Sequence, residues 1–175
     1  MARFGLLILA LISATGAMAS SHTVSLVDAQ GMRVPIATLT VGEDGEYKIT
    51  MAAEPFTDHF LSMRPFKCLE GPEKHWCHVP YPYPIKRSVA EDLTDLEYDF
   101  LFLWKGATEY GINMWNGVYY KLTARPDGGI EGVLHEMDMD ILSAPPEAGN
   151  LRPVRDVDLE ESDPDSHWLP RLVID

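Results

Sequence analysis

Basic charge is scarce in this chain. Its 14 lysines and arginines stand against 27 aspartates and glutamates, a formal net charge of −13. Such a field repels phosphate backbones and anionic lipid surfaces, so no nucleic-acid partner is expected. Cysteine is scarcer still, with two in 175 residues, and they do not form the redox spacing Cys-x-x-Cys. No long apolar run follows the first nineteen residues, so no integral membrane anchor is expected in the mature chain. There is no Gly-x-Ser-x-Gly elbow and no phosphate-cradling glycine loop. Carboxylates are numerous enough to supply an acid–base pair, yet the residues point away from an enzyme, and an uncharacterised hydrolase is the third choice.

The opening stretch "MARFGLLILALISATGAMA" has the layout of a cleaved leader. Arg3 supplies the positive start, the run from Phe4 is apolar, and Ala17-Met18-Ala19 is the small-x-small cleavage pattern. Residues 1–19 are therefore read as a signal peptide. Residues 20–175 form a single β-rich domain with an irregular acidic C-terminal segment, in the periplasm or secreted. Export places the cysteines in an oxidising compartment. Within "KCLEGPEKHWCH", Gly71-Pro72 turns the chain back on itself, so Cys68 and Cys77 are expected to bridge a hairpin. In an extended 74–79, His75 and Cys77 share one face while Trp76 and His78 share the other, which separates the thiolate from its neighbouring imidazole.

Period-2 alternation dominates the mature chain. "RVPIATLTV" and "GEYKITM" flank Gly42-Glu43-Asp44-Gly45 as a hairpin, and the three prolines of 80–84 exclude a central strand there. Ser88 and Glu91 suggest a capping box over "SVAEDLTDL", hence one short helix. "LEYDFLFLWK" reads as a strand apolar on both faces, the wall of two layers. "EYGINMW" and "VYYKLTA" flank Asn116-Gly117 as a hairpin, and "RPDGG" leads into the strand "IEGVLHEMDMDIL". The expectation is a mainly β fold, an antiparallel small barrel or two-sheet sandwich of about eight strands.

Two chemistries can be placed on it. In "VLHEMDMDIL" His135, Met137 and Met139 share one strand face, a soft donor set of the kind that holds Cu(I), although methionines fill cores equally well. The run "LHEMDMD" resembles the His-Glu-Met-x-Met segment of periplasmic copper chaperones of the PCu(A)C type, which are exported β-sandwich domains. The resemblance covers seven residues, and no methionine follows Met139 for the rest of that family's copper box. Cleavage after Ala19 also leaves His22 third from a free amine, a square-planar nitrogen site for Cu(II) or Ni(II). The second chemistry is apolar. Tyr98, Phe100, Phe102, Trp104, Trp115 and Tyr120 are the set that lines a barrel cavity if the interior is hollow, and packs it if it is not. The functional expectation is a non-catalytic module of the cell envelope, binding a small ligand or an envelope protein and needing no cofactor. Copper handling is its alternative.

Overall fold

The computed structural model describes residues 19–62 and 65–175. The expected leader, residues 1–19, therefore lies outside the described residues except for Ala19. Strand β1 (Ser20–Val27) begins at the first residue after it and is followed by β2 (Arg33–Val41), β3 (Tyr47–Met51), β4 (Thr57–Phe60), β5 (Pro65–Glu70) and β6 (Lys74–His78). Helix α1 (Thr94–Asp99) leads into β7 (Phe102–Gly106), β8 (Gly117–Ala124) and β9 (Ile130–Met137), and the chain closes with β10 (Leu159–Glu161) and β11 (Arg171–Ile174). Every pairing is antiparallel. One sheet runs β3-β2-β1-β11-β9-β8-β7-β6-β5-β4, with β10 added to β9, and it curls into a half-barrel. The mainly β expectation holds, with eleven strands rather than about eight among the described residues.

The curl creates two cores. The concave face collects Val24, Leu26, Ile36, Leu39, Trp76, Phe102, Tyr120 and Leu172 from six strands, so the interior is filled by side chains. The convex face of β7–β9 carries Leu103, Tyr119 and Met137, covered by Tyr81 and by Met139 and Leu142. Phe102 inside and Leu103 outside are consecutive, which is the two-sided wall that the apolar run required. Cys68 and Cys77 are directly opposed across β5 and β6, with Cα atoms 3.9 Å apart, and are joined in a disulfide. No helix among the described residues is long and apolar enough to cross a membrane.

Four local expectations are corrected. The helix does not start at Ser88, which forms an isolated bridge to Glu46 while its hydroxyl accepts from the Ala90 N–H. It starts at Thr94 and takes the first part of the expected strand 97–105. Leu96 and Phe100, four apart, both enter the concave core. The reason lies in the sheet: β7 pairs β8 only at Phe102↔Val118 and Leu103↔Gly117, so the rest of that β8 edge is open. The Glu97 carboxylate covers it, accepting the Leu122 N–H at 2.7 Å and the Tyr119 hydroxyl. Third, "EYGINMW" forms a loop with no strand, and Asn116-Gly117 is no type I′ turn. Gly117 lies inside β8, where a Cβ would meet the Met137 carbonyl oxygen at 2.5 Å. Its smallness serves close packing. Last, β9 stops at Met137, and Met139 belongs to a 3-10 turn (Met139–Leu142) whose Asp138 carboxylate accepts from the Asp140 N–H at 2.9 Å.

Candidate functional site

Three turns meet at one end of the half-barrel and enclose an open pocket of about 490 Å³ lined by Asp28, Met32, Pro72, Lys74, His167 and Trp168, among others. Each wall has a local cause. The Asp28 carboxylate accepts the N–H groups of Gln30 (3.0 Å) and Met32 (2.7 Å), closing the β1–β2 turn around Gly31 at φ 86°. Gly71-Pro72 forms the β5–β6 turn, where a Cβ on Gly71 would lie 2.5 Å from the Lys74 carbonyl oxygen and 2.7 Å from Trp168 Nε1. The third wall is the 3-10 turn Pro164–Ser166, capped by Asp163. It passes into β11, which ties the chain end between β1 and β9.

The polar groups of the pocket form a relay. Lys74 Nζ donates to the Ser166 carbonyl oxygen (2.9 Å), lies 3.2 Å from His167 Nδ1, and sits 4.3 Å above the Trp104 ring. An ammonium beside Nδ1 makes that nitrogen the acceptor, so the imidazole proton is on Nε2, 2.6 Å from Glu136 Oε1. Burial holds His167 below the usual imidazole range, with Lys74 pushing the same way and Glu136 opposing. His167 is thus a neutral link between an ammonium and a carboxylate, stacked edge-on against Trp76 at 5.2 Å. Both ring nitrogens have partners within the protein. The arrangement fixes the shape and polarity of the wall and presents no unengaged imidazole nitrogen to a bound molecule.

The residues expected from sequence lie elsewhere. Phe100, Phe102 and Tyr120 are fully buried in the concave core with Trp104 packed against it, Tyr98 is in the convex core, and Trp115 is 70% exposed. The six surround no common space. His135 and Met137 do share the convex face of β9, and Met139 reaches the same place from its 3-10 turn, since both methionine side chains crowd Gly117. Both methionines are nonetheless buried, at 4% and 1% exposure, and His135 Nδ1 lies 3.1 Å from the Val133 carbonyl oxygen. His22 cannot join them. It sits near the Ile130 end of β9, about five residues of strand or ~16 Å from His135. Nor does β1 suit a square-planar chelate through consecutive amides. Thr23 exchanges both backbone bonds with Asp175, so the Ser21 and His22 amides point to opposite edges. No three His, Cys, Asp or Glu side chains among the described residues are grouped to hold a metal ion.

Lys74, Glu136, His167 and Trp168 carry little signal in sequence, because the relay joins residues as far as 93 positions apart. The one available hint was His167-Trp168 interrupting an otherwise acidic segment just before β11. The chain matches no family model, no curated protein and no solved structure.

Proposed function

We propose that this protein is an exported, non-catalytic binding module of the cell envelope that takes a compact, mainly apolar molecule in the pocket between the β1–β2 turn, the β5–β6 turn and residues 164–168. The observation that carries this reading is the contrast between a filled barrel interior and an open pocket of about 490 Å³ at its mouth. Ligand sites combine apolar walls with a few convergent polar groups, and barrel mouths are a usual place for them. Met32, Pro72, Pro164 and Trp168 supply the apolar part and the Lys74 ammonium, held in place by His167, the polar part. Glu73 and Asp165 at the same pocket, on a chain of −13, favour a neutral or cationic molecule over an anion. Export rests on the leader pattern and agrees with the disulfide.

The test is a titration with the neutral fluorescent probe N-phenyl-1-naphthylamine. One saturable site is expected, weakened at least ~tenfold by Met32→Arg and by Ser166→Arg, both at exposed positions, with circular dichroism expected to show each variant folded. Absence of saturation, or equal affinity in both variants, removes the pocket from consideration.

Copper handling through His135, Met137 and Met139 is the second reading. It is favoured by the convergence of the two thioethers beside Gly117, on the face that also carries His135. Native mass spectrometry with Cu(I) tests it: one added copper, lost in His135→Ala, supports the site, and unchanged stoichiometry in that variant eliminates it.

A further inference from the structure

The end strand β3 has an unfinished edge. Along β3, Glu46 and Ala52 face β2: the Gly42 N–H donates to the Glu46 carbonyl (2.8 Å) and the Ala52 N–H to the Ile36 carbonyl (2.8 Å). By alternation, Tyr47, Ile49 and Met51 turn their backbone groups outward. The chain itself begins to occupy this edge. The Tyr47 N–H donates to the Arg87 carbonyl (3.0 Å), the Val89 N–H donates to the Gly45 carbonyl (2.9 Å), and Glu46 bridges Ser88. An antiparallel continuation would lay residues 85–83 along Ile49 to Met51. It stops because Arg87 adopts φ 54°, a left-handed conformation costly for a non-glycine residue, and swings the chain away. Arg87 is held there by Asp99, which accepts from Arg87 Nη2 at 3.1 Å and from the Tyr47 hydroxyl at 2.8 Å. Among the described residues, the outward N–H and C=O groups of Ile49 and Met51 find no partner.

The space beside this edge is shaped and charged. A groove of about 340 Å³ is lined by Lys48, Ile49, Met51, Tyr81 and Arg87, among others. It continues past Pro80 into a hollow of about 130 Å³ bordered by Lys67. Ile49 and Met51 are half-buried and pack against the concave core, so the floor is apolar. Three cations, Lys48, Lys67 and Arg87, line the two spaces; Arg87 is engaged by Asp99 and Lys67 by Asp58 at 2.8 Å, which leaves an excess of one positive charge, at Lys48. That local excess of positive charge stands out on a chain of −13.

We propose that β3 accepts an added strand: an extended, acidic segment of a partner protein, with apolar residues at alternate positions, docks beside Ile49 and Met51 and continues the line begun by residues 87–89. Backbone pairing supplies the register, alternate apolar side chains face the floor, and an intervening carboxylate meets Lys48. The surface is separate from the mouth pocket and does not depend on a ligand there.

The probe is the peptide acetyl-Glu-Thr-Glu-Val-Asp-Val-Glu-amide, with a control in which lysine replaces each acidic residue. Backbone NMR of the protein is expected to show saturable shifts and slowed exchange at the Ile49 and Met51 amides with the acidic peptide alone. Met51→Pro removes an outward N–H without touching the β2 ladder, and Lys48→Glu reverses a groove charge. Each is expected to weaken binding at least ~tenfold, and the exposed Lys48 variant decides the matter if Met51→Pro disturbs the fold. No saturable shift at millimolar peptide, equal binding of the two peptides, or shifts away from residues 48–51 would overturn the proposal. So would sedimentation showing a dimer that protects those amides without peptide, because a second copy would then be the occupant.

Discussion

At the scale of single residues, close approach decides more than turn chemistry does. Gly71 and Gly117 both sit in dipeptides that suggest turns, but only Gly71 is in one. What both share is a neighbour too close for a methyl group. Gly71→Ala places its Cβ 2.5 Å from a backbone oxygen and 2.7 Å from Trp168 Nε1, so the β5–β6 turn and the indole must separate. A loss of about 1–3 kcal/mol is expected in urea denaturation, together with weaker probe binding at the mouth. An unchanged midpoint would mean that the turn yields freely.

At the scale of elements, α1 is a six-residue helix held by its own carboxylates. Glu97 covers the open edge of β8, Asp99 engages Tyr47 and Arg87, and Asp95 meets Arg152 Nε at 2.7 Å, while Arg152 also holds Asp92 at 2.9 Å. Asp95 is 1% exposed, so removing its cation strands a buried charge. Arg152→Ala is expected to cost about 2–4 kcal/mol, below the full buried-pair value because Arg152 is itself 30% exposed. Thermal denaturation would show it, and restoration by Arg152→Ala/Asp95→Leu would assign the loss to that charge. The β5–β6 hairpin depends on a different device. Its disulfide spans nine residues, and replacing both cysteines by serine is expected to lower stability by roughly 2.5–3 kcal/mol through the freed unfolded chain. A variant with unchanged denaturation midpoint would show that the apolar cluster in which Phe66 packs with the two cysteines, flanked by Leu61, Val79 and Ile112, holds the hairpin without the bond.

At the scale of the whole molecule, proton binding couples the site to the fold. Burial is the largest cause holding His75, His78 and His167 below the ordinary imidazole range. Between those depressed values and about pH 6.5 the unfolded chain binds more protons than the fold does. Their stabilisation is complete above about pH 6.5 and is lost as pH falls toward the folded values. Glu97 works in the opposite sense. Burial raises its carboxyl, so the fold is the greater proton binder there and gains as pH falls. Three histidines outweigh one carboxyl, so the urea midpoint is expected to be lower at pH 5.5 than at pH 7.5, with a smaller drop in His167→Gln. A midpoint that rises on acidification would place Glu97 in control.

The β character, the β2–β3 hairpin, the bridged β5–β6 turn and the break at the prolines of 80–84 could all be read from the chain, because alternation and turn residues act over a few positions. Helix α1 could not. Its period of four, in Leu96 and Phe100, is hidden inside a period-2 pattern, and its carboxylates make sense only against Arg152, Tyr119 and the uncovered edge of β8. The mouth pocket and the open edge of β3 belong to the same class, since both arise where distant turns or strand ends arrive together. Local sequence therefore determined which segments are strands and where they reverse. Tertiary structure alone decided which edges stay unpaired, which face of a two-sided strand is inside, and which charged groups meet, because those outcomes depend on how far the sheet curls and where its two end strands come to lie.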